Sequence, residues 1–486
     1  MTTHLLRLLW GGALLWLSAC TALSPPAEHP AEQALRERLP VAAPADATPA
    51  NPPVAAPPNA SMLELPWPDT APPAPVFASA DEPLTQDAVV RLYLLRSPAL
   101  RALLAQSRAE EARARIAARP GLFGISLERL RQGDEVEVSR TVSLGLLDLL
   151  TWPLRDAAVS RRIAADQLQL ARQVLSQVQA VRVQWVQAVS AAQRLRYLDD
   201  VAATGATAGE LARRMQAAGH FSAAQTAVQE VAEVESQLAS TQARRHALAQ
   251  REALLRLLGL SGDEARQLRL PDRLPDVLSS ASAWSEDRVA EAARQRHLGL
   301  RLGEARWQAT RSRAAADASQ SLIDVDLGWQ RNNATGQPVQ RGPELGLRLA
   351  SIDFGVARRQ AAALDEQAAL AQWQQTTLAA ESTLRERLSD QQATLNTAQQ
   401  AVRVLGPVRQ RLLKERLKQY NGMLIGPFEV LSEARMHIAA VVTALDAQRD
   451  FWLADAALQA AIDGIDNAPA TAQAAGVVAT PPPARH

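Results

Sequence analysis

Twice along this chain a long helix-patterned run with almost no breakers meets a short glycine-bearing tip and is followed by a second such run. The first tip is Ala218-Gly219-His220-Phe221-Ser222. The second is Tyr420-Asn421-Gly422-Met423-Leu424-Ile425-Gly426-Pro427, leading into Phe428-Glu429-Val430-Leu431. Glycine and proline at these points stop one helix and turn the chain back. A chain with two such reversals, about 200 residues apart, has to build two long antiparallel helical hairpins on a repeated plan.

The plan can be followed in order. Leu84 to Ala118 has helical periodicity, with Thr85 as N-cap and Arg119-Pro120-Gly121 as the stop. Two strand-like segments follow. Glu135 to Leu146 alternates, with Val136, Val138, Val142, Leu144 and Leu146 on one face and Glu135, Glu137, Ser139, Thr141 and Ser143 on the other. Arg140 is the exception on the apolar face. Its partner, Ile125 to Leu130, is less regular, and Gln132-Gly133-Asp134 supplies the hairpin loop. A long helix is predicted from Arg155 to Ala218, with Val174, Val178, Val181, Trp185, Ala188, Ala192 and Leu195 in the 4-3 spacing of a coiled-coil seam. The returning helix runs from Ser222 to Leu258 and ends at Gly259.

After a loop with Pro271 and Pro275 the pattern restarts: a helix from Ser285 to Ser319, a strand from Leu322 to Arg331, a polar loop from Asn332 to Gly342, and a strand from Glu344 to Ala350. The second long helix begins at Val356, carries Leu384, Leu388, Leu395, Ala398, Val402, Leu405 and Leu412 in 4-3 spacing, and should kink at Gly406-Pro407. Its return, Phe428 to Ile462, ends at Gly464. Leu144-Gly145-Leu146 aligns with Leu345-Gly346-Leu347, Gly219 with Gly422, and Gly259 with Gly464. The fold class is therefore mainly α with a small β part, a duplicated unit of helix, β-hairpin and long helical hairpin. Residues 84-275 form the first repeat and residues 276-465 the second.

Helix lengths constrain how these pieces stack. At about 1.5 Å per residue each long helix spans on the order of 95 Å, and each returning helix about half of that. Helices of the missing length lead into each strand pair. Each descent is thus one helix and each ascent two stacked helices, the second expected to come from the next repeat. Four strands, apolar on one face and polar on the other, leave two open edges. Three copies would close twelve strands into an edgeless barrel, and segments of about ten residues can cross a bilayer when tilted.

The rest of the composition fits this plan. The formal net charge is +1 with both signs interspersed, so the basic face of a nucleic-acid binder is missing. Aromatic residues make up only 4%, as expected of long helices packed side by side. At the N-terminus, His4 and Arg7 precede a short apolar run that ends in Leu17-Ser18-Ala19-Cys20, and Cys20 is the chain's one cysteine. This stretch resembles a bacterial lipobox, which implies a signal peptide over residues 1-19, lipidation of Cys20, and an outer-membrane address because Thr21, not Asp, follows. Residues 20-83 read as a Pro/Ala-rich tether with polyproline character, and residues 466-486 as a disordered tail.

From Leu84 to Gly464 the order of elements resembles the TolC-type outer-membrane efflux duct family. The resemblance is carried by Ser97-Pro98-Ala99-Leu100 in the opening helix, by Ile352-Asp353-Phe354-Gly355-Val356-Ala357-Arg358-Arg359 at a strand-to-helix turn, and by the two tips. The order of Asp353 and Phe354 is transposed relative to the family's turn, and the first repeat has Thr151-Trp152-Pro153-Leu154 at that place. The resemblance implies a homotrimer: an α-helical barrel continuous with a twelve-stranded transmembrane β-barrel in outer-membrane lipid. Its tips would meet a periplasmic adaptor joined to an inner-membrane pump. Gly219, His220, Ser222, Tyr420, Gly422, Gly426 and Glu429 take the tip and gating positions, with Tyr420 in the place of the family's tip tyrosine. No arginine stands in the loop where the family carries one.

The wording of the second tip is closest to members linked with copper or heavy-metal resistance. Met215, His220, Met423 and His437 lie near the tips as soft-ligand candidates; methionine filling irregular gaps at bends is the plainer account of them. The sequence contains no phosphate loop, zincin motif, nucleophile elbow or paired-cysteine site, so neither an enzyme nor a cofactor is expected. One other function remains open, a lipid-anchored periplasmic coiled-coil scaffold that encloses no channel.

Overall fold

The computed structural model describes residues 83-119, 124-277, 284-319, 323-349 and 356-465, all within one compact unit, Pro68-His486. The leader, Cys20, nearly all of the tether, the tail and the Ile352-Gly355 turn lie outside the described residues. The elements in order are α1 Gln86–Arg96, α2 Pro98–Ala118, β1 Gly124–Gln132, β2 Glu135–Gly145, α3 Leu146–Ala217, α4 Ala223–Leu258, α5 Gly262–Gln267, α6 Glu286–Arg296, α7 Leu298–Ser319, β3 Ile323–Ala334 and β4 Gln340–Leu349. The second helical hairpin comprises α8 Val356–Gln400, a π-helical turn Ala401–Leu405, α9 Gly406–Asn421 and α10 Pro427–Ile462. No helix among the described residues is long and apolar enough to cross a membrane.

The two opening helices, expected to be continuous, are each broken once. In the first repeat the break is at Ser97, because the residue before a proline is pushed out of the helical region and Pro98 has no N–H to donate. The Ser97 hydroxyl then caps α2 by accepting from the Leu100 amide at 3.4 Å. The second repeat makes the same break with different chemistry. There His297 is the interruption, and its Nδ1 accepts from the Leu300 amide at 3.1 Å.

These breaks are where the returning helices arrive. Gly259, which ends α4 in the left-handed conformation (φ +70°), lies against Pro98; a Cβ placed there would come within 2.6 Å of the proline Cδ. Gly464, also at φ +70°, lies equally close to His297 and Gly299 after α10, and the Leu298 amide donates to the Asp463 carbonyl at 2.9 Å. So α4 stacks end to end on α2, and α10 on α7. The stacked partner comes from the same repeat, not from the next one as the lengths alone suggested. The reason is local: a left-handed glycine turns the chain sideways at the end of the return, straight onto the break of its own opening helix.

The stacked helices form columns. In the half nearer the sheet α3 packs between α2 and α7, and α7 packs on α8; in the half nearer the tips α3 packs between α4 and α10, and α10 packs on α8 and α9. The column order is therefore α2/α4, α3, α7/α10, α8/α9. The strands follow it. The sheet is antiparallel in the order β1-β2-β3-β4, and β2 pairs with β3 to join the repeats, Val142 opposite Trp329 and Leu144 opposite Leu327. The coiled-coil seam read from α3 is buried from Val174 through Ala188, including Val181 and Trp185. Burying each large apolar side chain contributes roughly 1.5–3 kcal/mol.

Three boundaries differ from expectation. Helix α3 starts at Leu146, directly after β2, and carries Pro153 inside it; one lost backbone bond near the helix start does not end the helix. Strand β3 extends to Ala334 and β4 begins at Gln340, beyond the polar composition that suggested a loop from Asn332. Thr335 closes that end by donating its amide to the Val136 carbonyl at 3.1 Å and accepting from the Val136 amide at 3.0 Å. The disruption expected at Gly406-Pro407 takes the form of the π turn, in which the Gly406 amide bonds to the Ala401 carbonyl. Inserting a wider turn accommodates the proline, whose ring would otherwise meet the carbonyl four residues back.

Candidate functional site

The two tips share one backbone solution. At the first, the His220 amide donates to the Met215 carbonyl at 2.8 Å and the Gly219 amide to the Gln216 carbonyl at 2.9 Å, with Gly219 left-handed at φ +77°. This is the Schellman ending of a helix. Ser222 then starts α4 with a reciprocal cap: its hydroxyl accepts from the Gln225 amide, and the Gln225 side chain accepts from the Ser222 amide at 2.8 Å. The Ser-x-x-Gln spacing is itself the sequence signature of a capping box.

At the second tip the Leu424 amide donates to the Gln419 carbonyl and the Met423 amide to the Tyr420 carbonyl, both at 2.9 Å. The left-handed position is Met423, at φ +59°, the one non-glycine residue with positive φ among the described residues. Gly422 has φ −82°. The structural equivalent of Gly219 is therefore Met423, and the sequence alignment of Gly219 with Gly422 is off by one residue. Met423 is 94% exposed and Leu424 78% exposed.

The other tip positions can be placed individually. Tyr420 is partly exposed, and its hydroxyl has no hydrogen bond among the described residues. Gly426 precedes Pro427 at the start of α10, and Glu429 lies exposed in that first turn. A carboxylate there faces the positive end of the helix dipole. His220 and Ser222 are exposed on the first tip. Met215 is half-buried near the end of α3, whereas His437 is half-buried well inside α10, its Nδ1 buried without a partner. Ten residues past Pro427, His437 is about 15 Å along the helix axis from the α10 start. Among the described residues no group of three metal-ligating side chains comes together.

Above the tips the helices are tied by ion pairs. Arg194 of α3 reaches both carboxylate oxygens of Asp446 on α10 at 2.6 and 2.7 Å. Arg213 pairs with Glu233 at 3.0 Å across the first hairpin, and Arg409 with Glu433 at 3.2 Å across the second. Within α10, Asp455 accepts from Gln459 at 2.7 Å and from the buried Gln391 of α8, and burial pushes its carboxyl above the usual range.

Among the described residues both flanks of this wall lack a partner column. On α4 Val228, Val231, Val234, Leu238 and Leu248 are exposed, and on α8, the π turn and α9 Leu364, Leu378, Val404, Val408 and Leu417 are exposed. Val231, Val234 and Leu238 follow the 3-4 spacing of a helix seam. The sheet behaves likewise. Ile125 is 75% exposed and Leu127 72%, and Trp329 and Leu345 are exposed on the same face. Among the described residues no helix covers these side chains.

A duplicated column wall, an open four-stranded sheet continuing it, and two helical tips together make up the fold of the TolC-type outer-membrane efflux channels. Solved structures with this fold include a membrane protein from Pseudomonas aeruginosa (19% identity, TM-score 0.66, covering 78% of this chain and 93% of that one). The outer membrane protein VceC from Vibrio cholerae matches at 14% identity and TM-score 0.64, covering 78% of this chain and 97% of that one. The Campylobacter jejuni CmeC outer membrane channel matches at 12% identity and TM-score 0.64, covering 81% and 91%. No protein-family model and no curated protein matches the sequence.

Proposed function

We propose that the chain is one third of an outer-membrane exit duct, the passive channel component of a tripartite efflux system. The observation that carries this reading is the matched pair of open edges: helix columns and strands run in the same order, and both end in unpartnered, partly apolar flanks. Three copies set flank to flank would seal the strands into a twelve-stranded barrel and the columns into a helical tunnel. In that assembly the apolar sheet face meets lipid and the face with Glu137, Thr141 and Asp326 lines the lumen. The fold shared with the CmeC outer membrane channel supports the same assignment.

In this reading the protein supplies a water-filled path and no chemistry. An inner-membrane pump supplies the energy, and a periplasmic adaptor docks on the tips, where Met423 and Leu424 are exposed on the second and Gly219 and His220 on the first. Tyr420 and Glu429 would find their gating partners on the adjacent copy. Cys20 would anchor the chain to the outer membrane through its lipid. A copper or heavy-metal cargo draws support only from Met215, His220, Met423 and His437. Replacing Met423 and His437 together by alanine lowers copper tolerance at unchanged protein level if they pass the ion on; unchanged tolerance removes that role.

The duct itself is tested by inserting purified protein into a planar bilayer. Discrete conductance steps, lost when a bulky wedge is placed in the lumen by Thr141→Trp, are the expected result. A protein that leaves the bilayer silent and is freed from membranes by removing the lipid anchor alone would be the scaffold instead.

A further inference from the structure

The arginine that breaks the apolar pattern of β2 is one of a set. On the apolar face of the sheet the register places Leu127, Arg140, Arg331 and Arg341 as direct neighbours across all four strands. One step nearer the hairpin turns Arg129 stands opposite Val138, and one step further Arg131 stands opposite Val136. On the helix side of this row the same face carries Ile125, Val142, Trp329 and Pro343, and then Leu144, Leu327 and Leu345. All five arginines of this face therefore lie at or beyond one level, with only apolar residues paired on its helix side, while Leu127, Val138 and Val136 are interleaved among them. All five arginines are exposed. Among the described residues Arg129, Arg140, Arg331 and Arg341 have no carboxylate partner, and the Arg131 Nε donates to the Gly133 carbonyl at 3.1 Å. The acids Glu128, Glu137, Asp326 and Glu344 fall on the opposite face by strand alternation.

Like charges directly opposite one another destabilise a sheet, so this row costs the isolated chain stability. An anion would reverse that cost, and planar guanidinium groups match phosphate oxygens two at a time. The apolar rows immediately below select among anions. A free ion or a nucleic acid has no use for them, whereas a lipid has both a charged head and an apolar tail.

We propose that Arg140, Arg331 and Arg341, flanked by Arg129 and Arg131, bind the phosphate groups of anionic lipid head groups at the membrane surface reached by the hairpin turns, with the acyl chains lying on the apolar rows. The proposal rests on the membrane-barrel reading, in which threefold assembly repeats the row into a girdle.

Full-length protein is purified in neutral detergent and incubated with mixed micelles of phosphatidylcholine and a bis-phosphorylated glycolipid, or the same glycolipid with its phosphates removed. Lipid retained after exhaustive washing is measured by native mass spectrometry, and conductance is recorded on the same preparations. Retention of the phosphorylated form over the dephosphorylated one, reduced about tenfold or more in R140Q/R331Q/R341Q and less in the matching triple lysine variant, is the expected result. Equal retention of the two lipids by a conducting wild type overturns the proposal while leaving the duct intact, and this arm holds even if the glutamine variant fails to fold. Full displacement by inorganic phosphate, with no dependence on acyl chains, also overturns it in favour of a free-anion site. A wild type that neither conducts nor retains glycolipid indicts the duct reading itself.

Discussion

Met423 holds a backbone conformation that costs an L-residue about 1–2 kcal/mol, and it does so with its side chain almost fully exposed. Gly219 holds the same conformation at the first tip without that cost. Met423→Gly is therefore expected to raise stability to denaturant by about 1 kcal/mol, and Gly219→Ala to lower it by a similar amount, both read from urea midpoints. If Met423→Gly also weakens adaptor binding, the exposed side chain is what the strain maintains. The sequence announced a turn at both tips but not which residue takes the left-handed place, because Gly422 carries the same signal one position early. Asp455 gives a residue-scale pH prediction. Its folded carboxyl titrates above its unfolded value because burial disfavours the charge. The folded state then holds the proton more tightly, so this group favours folding at low pH and loses that contribution as pH rises through the raised pKa. Asp455→Asn, which keeps the side-chain shape, should flatten that part of the stability–pH curve; an unchanged slope would assign it to other groups.

Among the elements, helix breaks organise the packing. Ser97 and His297 cap the second half of each opening helix, one with a hydroxyl and one with an imidazole, and each break receives a left-handed glycine. Ser97→Ala should cost about 1 kcal/mol as a lost N-cap. Gly259→Ala should cost more, since it meets both an unfavourable φ and the Pro98 ring, and thermal unfolding of the two variants orders them. Pro98 carries the sequence signal for the first break, although the periodicity from Leu84 to Ala118 points to one continuous helix. The second was hidden because histidine is not a strong break signal and its capping role depends on the side-chain rotamer. The strand ends are hidden in the sequence for a related reason. Asn332, Asn333 and Gln340 look like loop residues by composition, yet ladder pairing with β2 and between β3 and β4 holds them in strands, as tertiary pairing overrides propensity. The arginine row is hidden with them, because Arg331 and Arg341 stand at or beyond the ends of the strands that composition predicts, and Arg140 alone breaks a visible pattern.

At the scale of the whole molecule, the repeat, the column lengths and the alternating strands were all legible, because each follows from periodicity and from glycine and proline placement. The pairing of columns was not, since stacking within a repeat and stacking between repeats need the same lengths. What the fold leaves unsatisfied is its perimeter. Among the described residues strands β1 and β4 each offer a free hydrogen-bonding edge, and α4 opposes α8 and α9 across the width of the wall with apolar residues exposed on both. Charge placed on one flank should prevent closure: Leu238→Glu is expected to convert a sealed assembly into smaller species while the helix content of each chain stays constant. The most direct measurement is the native mass of the full-length protein extracted in neutral detergent. Three chains per particle, falling to one in Leu238→Glu, is the predicted result; a wild-type particle holding a single chain would contradict the account.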